Sequence, residues 1–125
     1  MTEQQLKDRT KKLALQIIEF VEELPRTRAG EVLGRQLLRS GTSVGANYRA
    51  ACRGRSDTEM VAKLGIVEEE ADESQYWIEL LDEKGYSDKK ITGDLWRELD
   101  EVIAIVVKSR KTIKARVERT GNVSR

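Results

Sequence analysis

A repeat of apolar and small residues between positions 60 and 81 restricts the fold more than any other feature of the sequence. It alternates steps of four and three residues over three heptads: Met60, Leu64, Val67, Ala71, Ser74, Ile78 and Leu81. Residues with this spacing lie on one stripe of an α-helix, as in the seam of a coiled coil. Because helices with such seams pack nearly antiparallel to their neighbours, the repeat predicts a helical bundle.

The composition agrees with an all-α protein of one domain. The chain has 125 residues, which is enough for one buried core, and no composition shift indicates a second. It contains one proline and one phenylalanine, whereas charged residues make up 36%. This profile is typical of exposed helices with narrow apolar stripes and not of strands, which need β-branched and aromatic runs.

Four helices are predicted within a single domain that covers residues 1–119. Their approximate ranges are 2–24, 29–53, 57–84 and 87–119. Pro25 ends the first helix and Ser87 caps the fourth, whereas residues 120–125 are predicted to be a disordered tail. Short connections join antiparallel neighbours, so we predict an antiparallel up-down-up-down four-helix bundle.

The second helix has a small, polar middle from Ser40 to Asn47, and this stretch has two interpretations. By propensity alone it is a loop, since each glycine costs a helix about 1 kcal/mol relative to alanine. We favour a continuous helix because the apolar and small residues from Leu33 to Ala51 keep the spacing of one helical stripe. Gly41 and Gly45 would then allow another backbone to approach closely.

The absence of histidine and the presence of a single cysteine, Cys52, remove most catalytic and metal-binding chemistry. A disulfide framework and a multi-cysteine zinc site are excluded, and Cys52 lacks a histidine base, so we interpret it as a packed core residue. No apolar run approaches the roughly 20 residues that span a bilayer, and residues 1–12 are too polar for a secretory signal. We expect a cytoplasmic protein without a metal, a cofactor, a small-molecule substrate or membrane contact.

The acidic run from Glu68 to Glu73 is reminiscent of a di-metal carboxylate helix, but such sites need Glu-x-x-His pairs on facing helices. Within the run, Glu70 and Glu73 share a partly apolar line with Ile66 and Trp77. We therefore predict that Glu70 and Glu73 are partly buried in structural ion pairs. The expected partners are arginines of the second helix: Arg35, Arg39 or Arg49.

Charge is segregated along the chain, although the formal net charge is only +1. Residues 1–55 hold 11 basic and 6 acidic residues, a net charge of +5. Residues 56–105 hold 5 and 15, a net charge of −10, and residues 106–125 hold 7 and 1, a net charge of +6. The pattern indicates surfaces that meet in an oligomer or face different partners, and the alternative is pairing between neighbouring helices of one chain.

Three basic clusters are predicted to converge at the end of the bundle where the second and fourth helices finish. The residues predicted to bind nucleic acid are Arg49, Arg53, Arg55, Lys108, Lys111 and Lys114, and Lys7, Lys11 and Lys12 lie near the start of the first helix. Such a concentration of cations favours RNA, DNA or an acidic protein as partner. Tyr48 is the only aromatic residue nearby, so few side chains are available for stacking on nucleic-acid bases. Ordinary solubilising charge is the alternative interpretation.

Two stretches of the sequence resemble a known family. They read LLRSGTSVGANYRAACRGRS, at residues 37–56, and KLGIVEEEADESQYWIELL, at residues 63–81. Together they resemble the four-helix-bundle family first noticed in open reading frames inside 23S rRNA intervening sequences. The same family includes the accessory variability determinant proteins of diversity-generating retroelements.

The resemblance implies a ring-like homo-oligomer, a homopentamer, without enzymatic activity. The retroelement members are basic barrels that engage a reverse transcriptase and nucleic acid, so the resemblance also implies those partners. One departure is the segment from Tyr48 to Ala51, which reads Tyr-Arg-Ala-Ala where many relatives have Tyr-Arg-Glu-Ala. The missing carboxylate puts in doubt any salt bridge that it makes in relatives.

The leading functional hypothesis is a non-enzymatic oligomeric scaffold whose basic end binds RNA or DNA electrostatically. It would act in a ribonucleoprotein or as a reverse-transcriptase accessory. The alternative is a protein–protein adaptor that uses the fourth helix and the acidic middle of the chain, without binding nucleic acid. An enzyme is the third hypothesis, and no catalytic constellation supports it.

Overall fold

The structure is a computed structural model, and it describes residues 1–120 of the 125-residue chain. This part of the chain forms four α-helices and no strand: α1 (Glu3–Glu22), α2 (Arg28–Cys52), α3 (Asp57–Glu83) and α4 (Lys89–Thr120). The predicted all-α fold with four helices is confirmed. The predicted tail at residues 120–125 lies outside the described residues except for Thr120, which is the last residue of α4.

The first helix begins with a capping box and ends just before the proline. The Thr2 hydroxyl accepts a hydrogen bond from the Gln5 N–H at 3.1 Å, and the Gln5 side chain accepts one from the Thr2 N–H at 2.9 Å. The N–H groups of Glu23 and Leu24 bond three residues back in a tighter turn. This turn ends α1 at Glu22, two residues before the predicted boundary.

The second helix is continuous, so the favoured interpretation of its small, polar middle is confirmed and the loop alternative is wrong. Both glycines face α1. A Cβ atom at Gly41 would lie 2.5 Å from Ile17 Cδ1, and one at Gly45 would lie 3.2 Å from Thr10 Oγ1. The close packing of α1 against α2 therefore requires residues without a Cβ atom at these two positions. The favourable packing outweighs the cost of glycine in helix propensity.

Consecutive helices pack against one another, and α4 packs back loosely against α1. Near the start of α4, Thr92 donates to Asp82 near the end of α3, and near the end of α4, Arg116 donates to Asp57 at the start of α3. These two contacts show that α3 and α4 are antiparallel. Within the described chain α2 and α4 do not touch, so they occupy opposite corners of the bundle.

The repeat of α3 lies in the core. All seven of its residues are buried, and they pack with buried residues of the other three helices. At the centre, the Ser74 hydroxyl of α3 donates to the Ser40 hydroxyl of α2 at 2.7 Å. Cys52 is half-buried and packs against this core.

The start of α4 differs from the prediction. Ser87 was expected to cap the helix, but the Asp88 carboxylate accepts the Lys90 N–H at 2.7 Å, and the helix begins at Lys89. The prediction of Ser87 as the cap is therefore wrong. Ser87 and Asp88 are neighbours that both carry a capping oxygen, so the sequence alone leaves this boundary ambiguous.

The fourth helix is longer than the first and extends beyond it. It has 32 residues, whereas α1 has 20. Met1, which precedes α1, lies beside Ile105, Ser109 and Ile113 of α4. The last turns of α4 therefore lie beyond the start of α1, with one side facing away from the core.

Candidate nucleic-acid interface

The three predicted arginines at the end of α2 are exposed. Arg49 and Arg53 lie one helical turn apart on the side opposite the buried residues Val44, Tyr48 and Ala51. Arg55 lies in the turn to α3, where its backbone N–H donates to the Glu59 carboxylate at 3.1 Å. All three guanidinium groups therefore face outward at one end of the bundle.

The three predicted lysines of α4 are also exposed. Lys108, Lys111 and Lys114 follow one another at three-residue steps in the last third of the helix. Steps of three on a helix of 3.6 residues per turn spread the ammonium groups over about 120° of its outer surface. Cations near a helix C-terminus also interact favourably with the partial negative charge of the free carbonyls.

Two carboxylates at this end pair with arginines that do not belong to the predicted set. Arg110 donates two hydrogen bonds to Glu68, at 2.9 and 2.7 Å, and Arg116 donates to Asp57 at 2.8 Å. Asp57 is only 1% exposed. In residues 1–120, none of the six predicted cations has a carboxylate oxygen within 4 Å of its charged side-chain nitrogens. Their charge is therefore not neutralised by the described chain.

The two sets of cations share an end of the molecule but not a corner. Because α2 and α4 are diagonal, their axes are separated by about 11–14 Å if neighbouring axes are 8–10 Å apart. Lys7 is half-buried near the same end, whereas Lys12 lines a groove between α1 and α4 further along the bundle. The structure thus places the six residues at one end as two separate patches.

The predicted ion pair between α2 and α3 forms through Arg39. Its guanidinium donates to Glu70 at 3.1 Å and to Glu73 at 2.5 Å, and both carboxylates are partly buried. The hydrogen bond that Arg39 donates to Glu73, together with the nearby Glu73 and Glu70 charges, raises the pKa of Arg39. Arg35, one turn earlier, has no carboxylate within 4 Å in the described chain and faces the α1–α2 side. The predicted role of Arg35 in this pair is therefore not observed.

Sequence reasoning missed a second set of ion pairs, which join α4 to its neighbours. Arg9 of α1 bonds to Glu98 at 2.6 Å and also contacts Glu101, and these carboxylates raise its pKa. Arg110 and Arg116 entered the sequence analysis only through the net charge of residues 106–125. For Arg116 a signal existed, since an up-down-up-down topology brings the end of α4 to the first turn of α3, where Asp57 lies.

The described residues contain neither a metal-binding group nor a membrane-spanning helix. Residues 1–120 contain no group of three or more histidine, cysteine, aspartate or glutamate side chains able to hold a metal ion. No helix among them is long and apolar enough to cross a membrane.

The fold and the arrangement of side chains define the class: an all-α four-helix bundle with a basic end. Residues 2–108 match the profile of the family described as 23S rRNA-intervening sequence protein. Because this match covers most of the chain, the protein belongs to that family.

A solved structure has the same fold. It is the 1.70 Å crystal structure of a protein of unknown function from the S23 ribosomal protein family of Bacteroides thetaiotaomicron VPI-5482. That protein is 31% identical to this one, with a TM-score of 0.82, over 89% of this chain and 99% of the other. No curated protein matches the chain.

Proposed function

We propose that this protein is a non-enzymatic, homo-oligomeric scaffold that binds nucleic acid through the basic end of the bundle. The observation that carries the proposal is the set of six exposed cations without a carboxylate partner in residues 1–120. Two acids at this end, Glu68 and Asp57, pair instead with Arg110 and Arg116. Unpaired cations at one end are available to phosphate groups.

Binding is expected to be mainly electrostatic and weakly dependent on sequence. Lysine and arginine contacts to phosphate position a protein on nucleic acid but do not distinguish bases. Tyr48, the aromatic residue nearest to the basic end, is only 5% exposed and therefore does not offer a stacking surface. RNA is the first choice of partner because the family is named for 23S rRNA intervening sequences. The proposal implies a cytoplasmic location, where such RNA is available.

The homo-oligomer, and a ring-like pentamer in particular, rests on the resemblance described above. The groove between α1 and α4 has an apolar floor that includes Ile91, which is 49% exposed. Exposed apolar surface of this kind supports self-association. A reverse transcriptase as a further partner is supported only by the resemblance to retroelement members. A reverse-transcriptase gene beside the gene for this protein would favour that version of the proposal over a ribonucleoprotein.

Fluorescence anisotropy with a labelled RNA and a labelled DNA duplex, at low and at physiological salt, tests the proposal. The sample is a single oligomer peak whose mass is measured by light scattering. The triple variant Lys108→Glu/Lys111→Glu/Lys114→Glu is expected to lose binding while keeping the oligomer. The matched control Lys84→Glu/Lys89→Glu/Lys90→Glu changes net charge equally at the opposite end, and it should bind like the wild type.

A protein–protein adaptor is the second candidate, and one observation favours it. Tyr76 of α3 is 54% exposed within the acidic segment of the chain. Exposed aromatic side chains are enriched in protein interfaces. Absence of nucleic-acid binding at low salt, together with a protein partner that stays bound after nuclease treatment, would favour the adaptor. Substrate turnover that is lost in Glu70→Gln with the fold intact would contradict both candidates.

A further inference from the structure

A small pocket opens between the end of α3 and the start of α4, at the end of the bundle opposite the basic end. We call it the seam pocket. Its volume is about 170 Å³, and it is lined by Ile78, Glu79, Asp82, Lys89, Thr92, Gly93 and Trp96. Pockets for drug-sized molecules have volumes of about 300–1,000 Å³. The seam pocket therefore has room for the end of a side chain or for a molecule of similar size.

Two carboxylates of α3 are held in the wall of the seam pocket by neutral donors of α4. The Trp96 indole N–H donates to Glu79 at 2.9 Å, and the Thr92 hydroxyl donates to Asp82 at 2.6 Å. Thr92 is only 2% exposed, so its hydroxyl has a fixed position. Neutral donors orient the carboxylates without cancelling their charge, and a carboxylate has lone pairs for further donors.

One cation of the chain already lies at the seam pocket, but its contact there is weak. The Lys89 ammonium is 3.3 Å from Asp82 Oδ2, and the Lys89 side chain is 79% exposed. In residues 1–120, Glu79 has no cation within 4 Å of its carboxylate oxygens. Arg97, beside the pocket, pairs with Asp94 at 2.6 Å. The pocket lining thus attracts a cation and keeps a net charge of −1, from two carboxylates and one ammonium.

A guanidinium group fits these features better than an ammonium group. It is planar, carries five N–H donors in a fixed fork, and is more weakly hydrated than ammonium. Glu79 and Asp82 lie three residues apart on α3, where Cβ atoms are about 5–6 Å apart, so one guanidinium can donate to both. Guanidinium also packs well on an aromatic ring such as the Trp96 indole. Ile78 in the lining offers apolar contact to an aliphatic stem.

We infer that the seam pocket binds a guanidinium group on an aliphatic chain, which contacts Glu79 and Asp82 and displaces Lys89. Two sources share this chemistry: an arginine side chain of another protein and a free guanidinium compound. The site goes beyond the proposed function and does not depend on it, because it lies at the other end of the bundle and uses none of the six cations. Failure of nucleic-acid binding would therefore leave this inference standing, and the reverse also holds.

An NMR titration of the full-length chain tests the inference, because Trp96 lines the pocket and the second tryptophan, Trp77, does not. The probe is N-acetylarginine amide, and the matched neutral probe is N-acetylcitrulline amide, in which a urea group replaces the guanidinium. The indole N–H signal of Trp96 should shift with the arginine probe, whereas that of Trp77 stays in place. The arginine probe should bind about tenfold tighter or more, since hydrogen bonds between charged groups are the stronger ones.

Neutralising the two carboxylates should weaken binding of the arginine probe. In Glu79→Gln/Asp82→Asn the side chains keep their size and an acceptor oxygen, and the dissociation constant is expected to rise about tenfold or more. The matched control Asp72→Asn/Glu83→Gln removes two exposed acids of α3 outside the pocket and should bind like the wild type. Circular dichroism verifies that each variant is folded.

Removing the resident ammonium should have the opposite effect. Lys89→Ala is expected to tighten binding of the arginine probe about threefold, because an exposed ion pair no longer competes for Asp82. The control Lys84→Ala removes an exposed lysine outside the pocket, and its effect should be smaller.

Equal binding of the arginine and citrulline probes would overturn the inference, as would equal loss in the two double variants. A Trp96 signal that stays in place at every probe concentration would also overturn it. Agmatine, a free guanidinium compound, distinguishes the two sources. Tighter binding of N-acetylarginine amide than of agmatine assigns the pocket to an arginine side chain of a protein, and equal or weaker binding assigns it to a free compound.

Discussion

At the scale of single residues, helical glycines in this bundle have different physical roles. Gly41 and Gly45 allow α1 and α2 to approach, whereas a Cβ atom at Gly65 of α3 would meet nothing within 4 Å. The sequence alone predicted the close approach at the first two positions from their spacing. It did not distinguish Gly65, because the surroundings of a glycine depend on how the helices pack.

Substitution of these glycines by alanine should therefore have opposite effects on stability. Gly65→Ala is expected to raise the free energy of unfolding by about 0.5–1 kcal/mol, since alanine has the higher helix propensity and space is available. Gly41→Ala is expected to lower it by about 1–3 kcal/mol, because Ile17 must move. Urea unfolding followed by circular dichroism measures both. Equal destabilisation by the two substitutions would contradict this account of α1–α2 packing.

The Thr92–Asp82 contact predicts a pH effect at the turn between α3 and α4. The Thr92 hydroxyl donates to Asp82 at 2.6 Å and, together with Lys89, lowers the pKa of Asp82. A lowered folded-state pKa contributes stability above the ordinary aspartate pKa of about 3.9, and this is lost as pH falls through the folded value.

Replacing Thr92 by valine should move the pKa of Asp82 back up toward the ordinary value. Carboxyl titration by NMR is the direct measurement. Thr112→Val serves as the control, since within residues 1–120 that hydroxyl bonds only to the Lys108 carbonyl. An Asp82 pKa that does not respond to Thr92→Val would refute the assigned cause.

At the scale of the helices, the periodicity of the sequence predicted most of the fold. The apolar stripe of each helix could be predicted because it depends only on residues that are close together in the sequence. The repeat from Met60 to Leu81 is buried throughout. The pairing of Glu70 and Glu73 with an arginine of α2 could be predicted, but not which arginine. That choice depends on the register of α2 against α3, and the same applies to Arg9–Glu98 and Arg110–Glu68, which the sequence did not indicate.

The Arg39 contact should make a small, salt-sensitive contribution to the packing of α2 on α3. Arg39→Ala is expected to lower the free energy of unfolding by up to about 1 kcal/mol, since the side chain is half-exposed. Arg35→Ala is the matched control and should have little effect, because Arg35 has no carboxylate within 4 Å in the described chain. The difference should shrink at high salt. Equal effects of the two substitutions would argue against the ion pair.

At the scale of the whole molecule, charge is distributed in a way that composition hides. The formal net charge of +1 is small because the charges of a basic end and an acidic middle segment nearly cancel. Sequence reasoning placed the six cations at one end from topology alone, and the structure has them there, exposed. It did not anticipate that they form two patches on diagonal corners or that Arg110 and Arg116 pair with Glu68 and Asp57. Those features depend on how the helices pack, and this packing cannot be predicted from short stretches of one sequence.

The salt dependence of nucleic-acid binding tests the central claim most directly. For a DNA duplex contacted by all six cations, the logarithm of the association constant should fall with the logarithm of salt concentration with a slope of about −5. In Lys108→Glu/Lys111→Glu/Lys114→Glu the slope should weaken to about −3 with a lower affinity. The Lys84→Glu/Lys89→Glu/Lys90→Glu control should retain the wild-type slope. Binding that is insensitive to salt, or equally reduced in both triple variants, would contradict the assignment of the basic end as the nucleic-acid interface.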